Sequence, residues 1–237
     1  MVSELTEPRV GEFWTPLRRR DGLVVTLTVV TGAVDAIGLL RLGGVFTSVM
    51  TGNMVLLGIA TGRHDASIAI HTGVAFFAYI VGSFLGARVA GHAEGDEHLW
   101  PRPIVNALML ELAVMVVFAI WWEVVGAAPS TALEYVLLSL NAVALGIQSS
   151  AVLRFGISGL STTYLTGTLT QFIAGLTKRG APLQVRSAFV LLGLIAGAAA
   201  GATVAVSAPR FAPLVPLGAL SIVVVGAWHS FHRNLDN

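Results

Sequence analysis

The chain has no cysteine in 237 residues, which excludes disulfides, thiolate metal sites and thiol nucleophiles. Charge is scarce too: Asp, Glu, Lys and Arg make up 11% of the residues, against about 25% in soluble domains. The net charge of +1 says nothing about nucleic acid, and no nucleic-acid partner is expected. Lysine occurs once, at position 178, and the excess of arginine fits a GC-rich bacterial lineage. A GxxxxGK[ST] phosphate loop, an HExxH pair and a GxSxG elbow are all missing, and with them the signatures of ATP hydrolysis, zinc proteolysis and serine hydrolysis. No cofactor and no metal are expected, and the chain does not read as an enzyme.

What is abundant is apolar sequence. With 55% hydrophobic residues and a mean hydropathy of +0.79, this is the composition of a polytopic membrane protein whose first partner is the lipid bilayer. At about 20 residues per crossing, the length allows at most about eight crossings and no soluble domain. Residues 1–22 are polar and end in Arg18-Arg19-Arg20. The run behind them carries Asp35 and lacks a small-residue cleavage site, so they read as a cytoplasmic segment ahead of an uncleaved first helix. Apolar segments follow at 24–40, 45–61, 67–91, 103–125, 135–153, 161–177, 184–207 and 212–231. Each is helical by elimination, because only helices and closed barrels satisfy their backbone groups in lipid and the alternation of barrel strands is absent. Trp100, Trp121, Trp122 and Trp228 fall near segment ends, as interfacial rings do.

The stretch DAIGLLRLGGVFTSVMTGNMVLLGIA, 35–60, has a counterpart in QSSAVLRFGISGLSTTYLTGTLTQFIAG, 148–175. A shift of 115 residues lays Thr51-Gly52 on Thr166-Gly167, Gly82 on Gly197 and Gly86 on Gly201. A two-residue insertion in the later copy then puts Asp35 on Gln148 and Arg41 on Arg154. These matches predict an all-α membrane protein of two homologous halves, 23–126 and 127–237. The second and sixth segments are short or interrupted, and two topologies stay open. If all eight segments cross, the halves are parallel and nine of the fourteen basic residues lie inside. If the second and sixth return to the side they entered, six helices cross, the halves are inverted, and eleven basic residues lie inside, which the positive-inside rule favours. Both arrangements put the two termini in the cytoplasm.

The motifs GGVFTSVMTGN, LGIQSSAVLRFG and STTYLTGTLT also resemble the YoaK-like family of bacterial membrane proteins, often labelled a permease. The likeness covers nearly everything after about residue 22. It implies a bacterial inner-membrane location and about six helices, and it supplies no substrate or mechanism.

The candidate site residues are therefore taken from the chemistry of the segments. Asp35 lies near the middle of the first helix, where an ionised carboxylate costs at least about 2.5–3.5 kcal/mol. It is either a proton or cation site, or a structural group paired with Arg41 or Arg154 or held against the backbone. Gln148, at the matching place, keeps hydrogen bonding but cannot ionise. Arg41 and Arg154 each follow a helix; they snorkel to the headgroups, or the interrupted segments bring both toward a central cavity. Thr51, Gly52 and Asn53, with Thr166 and Gly167, suit a backbone break and a restarted helix whose first N–H groups face an anion or polar oxygen. The same hydroxyls can simply bond back to the preceding turn. Glu111 is the second acidic candidate, with Asn106 and Asn141 as further polar residues in apolar helices. The paired glycines read as helix-packing sites. His71 reads as interfacial.

Short, glycine-interrupted segments at matching places in two halves point to a transporter's binding site. The reading is a secondary transporter for a small polar or anionic solute, coupled to protons through Asp35, with the two interrupted segments meeting at the centre. A passive channel and a non-transporting structural or accessory protein remain as alternatives, and the chain is open to forming a homo-oligomer.

Overall fold

The structure is a computed structural model and describes residues 16–91, 101–126, 129–154, 165–177 and 185–233. The described residues form eight α-helices: α1 (Pro16–Arg41), α2 (Met50–Arg63), α3 (Ala66–Ala90), α4 (Arg102–Val125), α5 (Thr131–Leu153), α6 (Leu165–Thr177), α7 (Val185–Ser207) and α8 (Leu214–Arg233). A 3₁₀ turn, Pro209–Phe211, precedes α8. Six of the eight, all but α2 and α6, are long and apolar enough to cross a membrane. At 14 and 13 residues, α2 and α6 reach only about 20 Å, short of a hydrocarbon core about 30 Å thick. The break expected at Thr51, Gly52 and Asn53 is not there: the irregular stretch is 42–49, which takes in the start of the 45–61 segment, and α2 itself is unbroken.

α1, α5, α4 and α8 close a central ring in which each helix packs on the next, and α8 packs back on α1. Leu27, Ile37, Leu108, Met115, Phe118, Leu138, Leu145, Leu220 and Val223 fill this centre and are fully buried. Outside the ring, α3 lies along α5 and α7 along α1. Glycine makes these two contacts close enough for backbone to meet backbone. A Cβ on Gly82 or Gly86 would lie 2.7 Å from the Cα of Val143 or Ile147 in α5, and one on Gly197 or Gly201 would lie 2.7 Å from the Cα of Val29 or Ala33 in α1. The partners approach equally closely: a Cβ on Gly146 would meet Ser83 N, and one on Gly32 would meet Ala198 N, each at 2.7 Å. Large apolar side chains on the outer faces, among them Phe77, Phe84, Val124, Ile195 and Ile222, are exposed, as in a protein whose solvent is lipid.

α2 packs on α3 and α6 on α7. Among the described residues the two short helices do not pack together at the centre: the glycine-lined faces of α3 and α7 take α5 and α1, and α2 and α6 lie against α3 and α7 instead. Trp122 also departs from expectation. It is fully buried and its Nε1 donates to Pro209 O at 2.9 Å, so it belongs to the core rather than to an interfacial belt. Residues 92–100, Trp100 among them, lie outside the described residues.

Two contacts fix how many helices cross. Gly43, just beyond α1, touches His71 in the second turn of α3, so the chain has returned to the level at which it left α1 and α2 does not cross. Trp122, in the last turn of α4, reaches Pro209 ahead of α8, and the neighbouring Glu123 pairs with Arg210 at 2.8 Å. Between these points α5 and α7 cross in opposite directions, and a crossing by α6 would put Pro209 on the wrong side. Gln148, near the end of α5, bonds to Leu27 and Thr31 near the start of α1, so these two central helices are antiparallel. Six helices cross.

Candidate functional site

Asp35 sits in the C-terminal half of α1 and is buried. Its carboxylate faces the returning segment 42–49, which brings four donors to it. Oδ1 accepts from Thr47 N at 2.8 Å, Thr47 Oγ1 at 2.8 Å and Ser48 N at 2.9 Å. Oδ2 accepts from Ser48 Oγ. Charge-assisted hydrogen bonds of this kind offset the desolvation of the carboxylate. The donors are thus Thr47 and Ser48, not Arg41 or Arg154.

Asn53 fastens the same segment from the other side. Its Oδ1 accepts from Phe46 N at 3.0 Å and its Nδ2 donates to Phe46 O at 2.6 Å, satisfying both backbone groups of a residue that no helix serves. The motif GGVFTSVMTGN is therefore a folded-back connection between α1 and α2 held by two side chains. Thr51 is exposed on the outer face of α2, and Gly52 lies 3.3 Å, measured from a built Cβ, from Phe46 and Val49. In α6, Thr166 and Gly167 are exposed and the next residue, Thr168, is buried. Residues 155–164, including the counterpart of Thr47, lie outside the described residues.

Because α1 and α5 are antiparallel, Arg41 at the end of α1 and Arg154 after the end of α5 stand at opposite ends of the bundle. From Leu27 to Arg41 the helix rises about 20 Å. The structure does not bring the two guanidinium groups to a shared cavity.

Glu111 has a different environment. It lies in α4, fully buried, and among the described residues neither carboxylate oxygen has a hydrogen-bond partner. Asn141, in α5, is also fully buried, with both amide atoms unpartnered. Seven residues on, Gln148 donates from Nε2 to Leu27 O at 3.2 Å and Thr31 Oγ1 at 2.8 Å, while its Oε1 has no partner. A seven-residue step keeps Asn141 and Gln148 on one face of α5. In the short α4–α5 hairpin, Glu111 comes at a depth between them. One carboxyl and two carboxamides thus leave five polar atoms unsatisfied in the interior of the α1, α4, α5 and α8 ring. Native interiors leave few such groups, and each calls for an explanation. Asn106, by contrast, is exposed on α4.

The donors on Thr47 and Ser48 and the Gly43–His71 contact are absent from the sequence-derived candidates. GGVFTS carries their signal only in retrospect, as a glycine pair followed by two hydroxyl residues at a distance that lets the chain fold back on α1.

The family model described as "Protein of unknown function (DUF1275)" matches residues 23–226. The chain is 36% identical over 160 residues to the UPF0700 transmembrane protein YoaK of Bacillus subtilis (strain 168), covering 68% of each chain. No solved structure matches. The matched span contains all six crossing helices apart from the ends of α1 and α8, and the chain belongs to the DUF1275 family, as a YoaK-like multi-pass membrane protein.

Proposed function

We propose that the chain is a secondary transporter for a small polar or anionic solute and that Glu111, rather than Asp35, carries the coupling proton. The observation behind this reading is the buried carboxyl of Glu111 in α4, which has no hydrogen-bond partner among the described residues and lies at a depth between Asn141 and Gln148 of α5; the Asn141 amide atoms and Gln148 Oε1 are unpartnered too. Ionisable groups inside a membrane bundle mark ion and proton paths by default. Asp35 accepts three donors on Oδ1 and one on Oδ2, so its ionised form is already committed to holding segment 42–49.

The helix pairing supports an origin from two inverted halves, 23–126 and 127–237. The contacts of α3 on α5 recur as α7 on α1 with the same glycines and the same Cα approach, at a constant offset of 114 residues from Val29 to Val143 and from Ala33 to Ile147. On that register Ser149, one residue after Gln148, takes the place of Asp35. Three crossings per half then invert one half relative to the other, the architecture in which alternating access is carried by rocking of repeats. The arginine distribution supports an inner-membrane orientation with both termini in the cytoplasm. The exposed apolar faces of α2 and α6 leave room for a homo-oligomer within the bilayer.

The test is proton movement in proteoliposomes loaded with a pH-sensitive dye and challenged with a panel of small polar solutes and carboxylates. Solute-dependent proton entry that is lost in Glu111→Gln supports the reading. Solute-independent leak assigns a channel, and no flux with any solute leaves the accessory-protein reading.

A further inference from the structure

The α1 and α7 helices run parallel, and near their N-terminal ends they form a cleft of about 520 Å³ lined by Asp21, Gly22, Val25, Val185, Arg186 and Phe189. Asp21 lies in the second turn of α1, directly after Arg18-Arg19-Arg20 and ahead of that helix's apolar run, and Arg186 is the second residue of α7. Their pair therefore sits at the boundary between headgroups and hydrocarbon. Its geometry is lopsided. Arg186 Nε, at 2.9 Å, and Nη2, at 2.7 Å, both converge on Asp21 Oδ2. Asp21 Oδ1 is buried and has no hydrogen-bond partner among the described residues. A guanidinium has five N–H donors, and two nitrogens directed at one oxygen leave donor capacity for an anion.

We propose that this cleft binds a phospholipid whose headgroup carries both a phosphate and a protonated amine with at least one N–H. The ammonium donates to Asp21 Oδ1, the phosphate faces Arg186, and Val25, Val185 and Phe189 line the start of an acyl chain. A buried acceptor without a donor is unfavourable by an amount comparable to a lost hydrogen bond, and the amine supplies that donor at the depth where headgroups lie. A quaternary amine has no N–H and leaves Oδ1 unsatisfied. An anionic headgroup without an amine does the same and adds a negative charge beside the carboxylate.

The experiment is native mass spectrometry of the purified full chain in detergent with phosphatidylethanolamine, its N-methyl, N,N-dimethyl and N,N,N-trimethyl forms, and phosphatidylglycerol, all with matched acyl chains. The first three lipids are expected to bind alike. Affinity is expected to fall about tenfold at the last methylation, the worth of one charge-assisted hydrogen bond, with phosphatidylglycerol as weak as the trimethyl form. Asp21→Asn is expected to erase the step, because its amide cannot accept from an ammonium with the same charge assistance. Equal binding of all five lipids, or a step that survives Asp21→Asn, overturns the proposal. Competition by water-soluble glycerophosphoethanolamine at the lipid's own concentration overturns the lipid and assigns the cleft to a soluble amine phosphate.

Discussion

The imidazole of His71 occupies the space that a side chain on Gly43 would need: a Cβ there would lie 2.6 Å from Nε2. Gly43 has φ +82°, a conformation that L side chains rarely adopt, and His71 is held by Ser67 O at 2.8 Å from Nδ1, by the Tyr135 ring and by Glu134 Oε1 at 3.5 Å. Left-handed backbone alone costs a non-glycine residue about 1–2 kcal/mol, and the buried ring must also move. Gly43→Ala is therefore expected to lower the unfolding temperature in detergent by more than Gly44→Ala, whose φ is +70° but whose Cβ meets open space. Equal shifts for the two variants would show that the ring contact contributes nothing.

The same contact makes a labelling experiment decisive. The chain has no cysteine, so single replacements report without background. Leu40→Cys and His64→Cys, at the two ends of the α2 excursion, are expected to react with an impermeant reagent from one side, together with Ser130→Cys and Arg210→Cys. Arg102→Cys is expected to react from the other side. Opposite accessibility of positions 40 and 64 would mean that α2 crosses.

Asp35→Asn is expected to act on stability first. The amide keeps one acceptor oxygen and turns an NH₂ toward donors from Thr47 or Ser48, leaving at least one buried donor unsatisfied, at about 1–3 kcal/mol. Asn53→Ala frees both backbone groups of Phe46 and is expected to be comparably destabilising. Thermal unfolding followed by tryptophan fluorescence measures both. Protein that remains folded should retain solute-dependent proton movement, and specific loss of coupling at an unchanged unfolding temperature would restore Asp35 as the proton carrier.

Glu111→Gln is expected to behave in the opposite way. Removing an unpaired acidic group from an apolar interior is neutral or stabilising when the shape is kept, so the unfolding temperature should stay level or rise while solute-dependent proton movement in the dye-loaded vesicles disappears. A variant that transports with wild-type proton coupling would return Glu111 to the status of a packing residue.

Gly82→Val and Gly197→Val test the paired architecture. Each pushes a branched side chain into backbone already at contact distance, in α5 or in α1. Overpacking of a tight interface typically costs 1–3 kcal/mol. The two variants are expected to lower the unfolding temperature to a similar extent, and an effect confined to one of them would show that the two interfaces do not carry equal weight.

The sequence by itself determined the solvent, the helices and the glycine contacts. Apolar runs of membrane length leave the backbone no alternative to a helix, and glycines four apart on a helix in lipid have few uses besides close packing, as Gly82, Gly86, Gly197 and Gly201 illustrate. It also marked Asp35, Asn53 and Glu111 as residues needing an explanation, because polarity at depth is visible without coordinates. Their environments were decided by the tertiary structure. The depth of Asp35 along α1 is the same whether it faces a solute path or a connection that folds back, and its donors, twelve and thirteen residues later, reach it only because segment 42–49 returns along the helix. Arg41 and Arg154 look alike in the sequence and end on opposite sides, because α1 and α5 run antiparallel. Glu111 shows no distinctive spacing at all; what sets it apart is the absence of any group within bonding reach, and that is a property of four helices packed together, which no one of their sequences contains.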